Sequence, residues 1–304
     1  MAPRLGLGGG VTANPASGLF ASTPLLLDTY PNAHRAYSVR KLRTDYTGFA
    51  MKVREGSGMN YTADVSFNDD GVVAADSPVT NLSGGSGATL GAFIGASNDG
   101  HVTVWYDQSG EGSNATQSTA AAQPKIYSSG SLNTEGSPAR AALLFDGSND
   151  YLKVDEAGLS LGSLTAFAVM SHGSGTLNAV WTLSFSSGAH FFHYIASSED
   201  QYWYDSGDIA SHYPVNTSQK LFSYTSGSGT DQQILYANGA ASSEKGDSAA
   251  TASLNDDANN GLGALYGYSL FYSGEFQEFI VYDSDQRSNL SNIESDINTA
   301  FSIY

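Results

Sequence analysis

Residues 101–117 read HVTVWYDQSGEGSNATQ, and the character of the chain changes halfway through them. Val102, Val104 and Tyr106 alternate with Thr103 and Trp105, the period of two shown by a strand buried on at least one face. Asp107, Ser109, Gly110, Gly112, Ser113 and Asn114 follow. These residues bond their own backbone or accept positive φ, so the strand ends in a tight polar loop. Similar short runs recur at 164–170, 179–184, 190–195, 201–204, 221–224, 233–236 and 275–282. Gly/Ser/Asp clusters separate them, and Asn238-Gly239 is a type I′ hairpin signal. Many short strands with turn signals between them indicate an all-β sandwich or jelly roll.

Composition narrows the partners. With 13 Lys and Arg against 30 Asp and Glu, the formal charge is −17. Such a surface repels phosphate backbones and anionic headgroups, which excludes nucleic acid as the expected partner. There is no cysteine, hence no disulfide framework, thiolate metal site or thiol nucleophile. The longest aliphatic run, Leu25, Leu26 and Leu27, is far too short for a bilayer span, and no export signal is visible, so membrane insertion is not expected.

Residues 1–29 are rich in Gly, Ala, Ser and Pro without a sustained period. They read as a flexible arm whose Leu19, Phe20, Leu25, Leu26 and Leu27 are candidates for assembly against a neighbouring subunit, the alternative being a frayed terminus. Residues 30–100 read as an N-terminal subdomain packed on a sandwich formed by 101–304. Pro31 opens a segment in which Ala33, Ala36, Tyr37, Val39 and Leu42 sit near helical spacing, predicting a helix at 31–44. Arg35, Arg40, Lys41, Arg43, Lys52 and Arg54 concentrate six of the 13 basic residues there, either a docking face or a set of local salt bridges. At the C-terminus, Leu290, Ile293, Ile297, Ala300, Phe301 and Tyr304 fall on one helical face, with Ser291 and Glu294 in capping-box spacing.

Three resemblances rest on particular residues. WYDQSG with the following NATQ, QPKI at 123–126 and FDGSNDYL at 145–152 resemble concanavalin A-like, laminin-G-type sandwich domains. AYSVRKLRTDYTGFAMKVR with WYDQSG resembles the first part of the catalytic domain of fungal-type α-L-arabinofuranosidases, over roughly residues 35–126. That family continues with a vicinal cysteine pair and a glutamate nucleophile in an Asn-Ala-Glu-Thr context. This chain has neither, so those catalytic residues are not carried over. The pairing of AYSVRKL and WYDQSG with the ending FIVYDSDQRSNLSNIESDINTAFSIY is similar to tail and other virion proteins of marine bacteriophages.

Four residue patterns carry candidate chemistry. Glycoside hydrolysis needs two facing carboxyl groups, about 5 to 10 Å apart depending on mechanism. Glu275 and Glu278, at i and i+3 of a strand, point to opposite faces unless a bulge intervenes, and Asp205 and Asp208 could converge with either. Calcium takes six to eight oxygens. Asp107-x-Ser109-x-Glu111 and the group Asp146, Asn149 and Asp150 have suitable chemistry for this cofactor, with Asx-turn capping as the alternative reading. Tyr202, Trp203, Tyr204, Asp205 and Asp208 offer aromatic faces beside carboxylates, as sugar recognition requires, with core packing as their alternative. His34, His101, His172, His190, His193 and His212 are scattered, and His190 and His193 do not have the spacing of a metal pair on a strand.

The expectation is a non-enzymatic virion protein on a bacteriophage tail or capsid surface, a homo-oligomer in contact with other virion subunits, assembled in the host cytoplasm and binding host surface glycans. The alternatives are an arabinofuranosidase-like glycoside hydrolase and a ligand-free capsid decoration protein.

Overall fold

The computed structural model describes residues 24–154, 163–173, 177–184, 190–196, 199–204, 211–214, 216–226, 233–242, 260–265 and 269–304. The principal strands in chain order are β1 (Arg35–Ser38), β2 (Met51–Glu55), β3 (Gly100–Trp105), β4 (Ala115–Thr116), β5 (Lys125–Ser128), β6 (Leu143–Asp146) and β7 (Leu152–Val154). They continue with β8 (Thr165–His172), β9 (Leu177–Ser184), β10 (His190–Ala196), β11 (Glu199–Tyr204), β12 (Lys220–Thr225), β13 (Gly261–Leu262) and β14 (Ser273–Tyr282). Three α-helices accompany them among the described residues: α1 (Leu26–Thr29), α2 (Leu90–Ile94) and α3 (Leu290–Phe301). The architecture is the all-β sandwich that the turn-punctuated strands predict.

β14 is the strand around which the others are placed. One edge pairs antiparallel with β8 along most of its length, and β8 continues to β12. The other edge is shared by β1, opposite Glu278 to Val281, and β6, opposite Ser273 to Phe276. From β6 the ladder passes through β5 to β3 and β2. From β3 a second path runs through β4, β7 and β13 to β9, β10 and β11. Strands from residues 30–100 are thus woven into the same ladders as those of 101–304.

A chain of rings fills the space between the layers. Trp105 meets Phe276 at 6.5 Å, Phe276 meets Phe145 and Phe279 at 6.2 Å each, and Phe279 meets Trp181 at 5.5 Å. All five side chains are essentially inaccessible. Edge-on and tilted pairs at such distances place positive ring edges against negative faces. Strict alternation would turn Val104 and Tyr106 inward with Val102, yet Trp105 is the buried one. The cause is a bulge: Lys52 faces Val104 while Val53 faces Val102, and the extra residue resets the faces.

The helix expected over 31–44 is not formed; that segment contains β1, and the short helix lies earlier, at α1. Every residue of β1 is buried. A strand covered on both sides has no polar face to alternate, so its apolar spacing imitates a helix. At the other end α3 forms where expected and buries Leu290, Ile293, Ile297 and Phe301, but its N-cap is Asn289. Glu294 is no capping-box partner; it is buried, with Ser223 Oγ donating to it at 2.7 Å. Tyr304 lies beyond the helix and is exposed.

Several of the clustered basic residues pair with the chain's own carboxylates. Arg40 bridges Glu278 at 2.8 Å and Asp296 at 2.9 Å, Arg43 bridges Asp45, and Lys52 lies 3.8 Å from Asp64. Burial works against the Arg40 charge, but Glu278 and Asp296 more than offset it and hold the guanidinium above its ordinary range. Among the described residues no helix is long and apolar enough to cross a membrane.

Candidate functional site

The first of the two Asp/Gly loops is a clasp. Asp107 Oδ1 accepts from the backbone N–H groups of Ala36 and Ser109, both at 2.9 Å, and Oδ2 accepts from Ser109 Oγ at 2.6 Å. Gln108 donates from its backbone to Ala36 O, donates from Nε2 to Arg40 O, and accepts from Leu42 N–H at Oε1. Trp105 Nε1 donates to Ser38 O and Tyr37 OH to Ser113 O. AYSVRKL and WYDQSG occur together in the sequence because each supplies the hydrogen bonds that the other's backbone needs in a buried place. Asp107, a candidate calcium ligand, therefore has both oxygens engaged within the chain, in the Asx-turn manner of the alternative reading.

The second loop, FDGSND, follows β6 and folds differently. Asp146 is exposed, and its Oδ1 accepts from Ser148 N–H at 2.8 Å and Asn149 N–H at 3.3 Å. Gly147, at φ +76°, makes the turn and donates to Tyr272 O. Asp150 is buried, its Oδ2 accepts from Asp146 N–H at 3.1 Å, and burial, with the neighbouring Asp146 charge, pushes its carboxyl up to about 6. Among the described residues no group of three or more His, Asp or Glu is placed to hold a metal ion.

The register of β6 against β14 brings a further carboxylate to this turn. Leu144 faces Glu275 and Asp146 faces Ser273, while Phe145 and Phe276, on the opposite side, are buried. Asp146 and Glu275 are therefore diagonal neighbours on the outward face, a spacing of roughly 7–8 Å. Long side chains at diagonal positions reach one another, so the two carboxyl groups can face a common substrate, the arrangement that glycosidic cleavage requires. Ser171 Oγ, on β8, donates to Glu275 Oε2 at 2.7 Å and fixes its orientation. The pairing of Asp146 with Glu275 was not legible in the sequence, because it depends on which two strands are adjacent and in what register.

Glu275 and Glu278 do not make a pair of this kind. A bulge intervenes where Val169 faces Glu278 and Met170 faces Phe276, but Glu278 is fully buried, receiving Ser38 Oγ at 2.6 Å and Arg40 Nε at 2.8 Å. It anchors β1 through Ser38 and is tied to α3 only through Arg40, which also bridges Asp296. His172 and His193 lie in the core, ring centroids 6.0 Å apart, with His193 Nδ1 2.6 Å from Tyr224 OH.

The remaining candidates divide between described and undescribed residues. Tyr202, Trp203 and Tyr204 belong to β11, opposite His193, Phe192 and Phe191 of β10, while Asp205 and Asp208 lie outside the described residues. Leu26 and Leu27 are buried in this chain's own core and Leu25 is half-buried. Leu26 and Leu27 thus face inward rather than toward a neighbour; Leu19 and Phe20 lie outside the described residues.

No family model matches the sequence, and no curated protein matches it. Solved structures do. A GH54 α-L-arabinofuranosidase soaked with a cyclic sulfate inhibitor matches 88% of this chain with a TM-score of 0.61 at 13% identity. An arabinofuranosidase complexed with arabinofuranosyl-α-1,2-xylobiose matches 88% with a TM-score of 0.55 at 15% identity. The chain spans 63% of the length of each of these structures. The likeness is one of fold. It corrects the expectation of a non-enzymatic protein, because the architecture running through most of this chain is one found in glycoside hydrolases.

Proposed function

We propose that the protein is directed at glycans and hydrolyses a glycosidic bond, with arabinofuranosides as the first substrate class. The observation that carries this reading is the likeness to arabinofuranosidases over 88% of the chain. Hydrolysis needs one carboxyl to protonate the leaving oxygen and a second to activate water or attack the anomeric carbon. Without cysteine and without the family's glutamate context, the chain must supply its own pair. Asp146 and Glu275 are the two acidic side chains that the β6–β14 register places on one outward face.

The test is release of product from 4-nitrophenyl α-L-arabinofuranoside and of arabinose from arabinoxylan. Expected is turnover by the wild type that is lost in Asp146→Asn and Glu275→Gln while both variants remain folded. A wild type inert on a panel of furanosides and pyranosides overturns the reading. Placement on a virion surface is a separate proposal, supported by the AYSVRKL, WYDQSG and C-terminal resemblance; finding the chain in purified phage particles tests it.

A further inference from the structure

β4 is only two residues long, with Thr116 pairing Val104 on one side and Lys153 on the other. After Thr116 the regular pairing ends, and Gln117 keeps the segment tied to β3, its N–H donating to Thr103 O at 2.9 Å. The result is a groove of about 450 Å³ lined by Thr103, Val104, Thr116 to Thr119, Tyr151 and Lys153. Its size is within the range of about 300–1,000 Å³ that small-molecule sites occupy.

The lining has a definite chemistry. Thr103, Thr116, Ser118 and Thr119 contribute hydroxyls, Tyr151 a half-buried ring tilted 31° against Phe271, and Lys153 a single cation. Gln117 ties the two walls together: it is buried, accepts from Thr119 N–H at 2.9 Å and donates to Tyr151 O at 3.1 Å. Among the described residues no carboxylate lines the groove, on a chain of formal charge −17. A sugar ring has an apolar face for an aromatic side chain and a hydroxyl rim for hydroxyl and amide partners. The described lining offers groups that hold such a ligand.

We infer that this groove is a binding subsite for a neutral polysaccharide segment, separate from the Asp146–Glu275 face, with Tyr151 as its platform and Gln117 as a positioning residue. The inference rests on the glycan-directed reading but not on hydrolysis. The two segments that carry the laminin-G-type resemblance build it from opposite sides, ATQ at 115–117 and the Tyr151 end of FDGSNDYL.

Affinity gel electrophoresis of the full chain in arabinoxylan, linear arabinan, xylan and a mixed-linkage glucan tests it. Expected is retardation of the wild type by at least one polymer. Tyr151→Ala weakens it about tenfold or more, and so does Ser118→Trp, which fills the groove from an exposed position without touching the core. Glu275→Gln leaves retardation unchanged while abolishing turnover. The inference is overturned if no polymer retards the wild type, if both groove variants bind like wild type, or if retardation is lost in Glu275→Gln and kept in Ser118→Trp. Turnover without retardation removes this subsite and leaves the hydrolase reading standing; retardation without turnover does the reverse.

Discussion

The loops at 107–114 and 146–150 are both Asp-, Gly- and Ser-rich, both follow a strand, and both suggest calcium in the sequence, yet they use their carboxylates differently. Asp107 is 5% exposed and holds two backbone N–H groups and a hydroxyl, so that removing it would leave the Ala36 and Ser109 N–H groups without that acceptor. Asp146 is exposed, its carboxylate bonds only within its own turn among the described contacts, and it is the diagonal neighbour of Glu275. A motif that is easy to recognise by eye can thus be a device for holding the backbone. The chemistry can then lie in the less demanding loop, whose neighbours come from elsewhere in the chain.

The largest effect that separates the two loops is on stability. Asp107→Ala orphans two backbone donors and is expected to lower the unfolding free energy by about 3–5 kcal/mol, read as a fall in the urea midpoint; Asp146→Ala should stay within about 0.5 kcal/mol. Equal losses would break the contrast. A chelator should move the midpoint of neither wild type nor Asp107→Asn if Asp107 serves the backbone alone; a shift confined to wild type would return it to the calcium reading.

Activity gives the reverse ordering. Glu275→Gln and Asp146→Asn should cost about 10²- to 10⁴-fold in turnover, against little change in midpoint.

Next in size is a pH effect at Asp150. Its folded value of about 6 lies above the ordinary 3.8, so the folded state retains a proton that the unfolded state has already released. The stability it contributes is fully present below about pH 4 and is lost as pH rises to about 6. Asp150→Asn should remove that slope and leave the variant about 1–3 kcal/mol ahead of wild type above pH 6, measured by urea unfolding at pH 4, 5, 6 and 7. Parallel curves for the two proteins would count against it.

The smallest contrast concerns glycine. Gly112, at φ +80°, has open space where a Cβ would go, whereas one at Gly147, φ +76°, would stand 2.9 Å from Ser273 Cβ. Gly112→Ala should cost about 1–2 kcal/mol for its backbone conformation alone, and Gly147→Ala measurably more.

Much of the fold was legible in the sequence. Strand β3, the Asn238-Gly239 hairpin with both residues at positive φ, and α3 follow from alternation, turn chemistry and a 3.6-residue face. Burial on both faces hid β1, and a bulge moved Trp105 inward. The candidate site was half legible. Asp146 and Glu275 were each picked out as acidic residues of interest, but 129 positions separate them and only the register of β6 on β14 makes them neighbours. Tyr151 and Gln117 carry no individual signal; their groove exists because β4 stops after two residues.

The place of β14 has a consequence for how the molecule comes into being. β1 pairs with a strand made much later; Ser38 and Glu278 are 240 positions apart. At a synthesis rate of about 5–20 residues per second, β1 waits roughly 12 to 50 s for its partner. Through that interval the edge of β1 that β14 later covers is open to other chains, and those of β6 and β8 are open for about half as long. Closure of so distant a pair is slow, and the sheet has no continuous middle until β14 enters it.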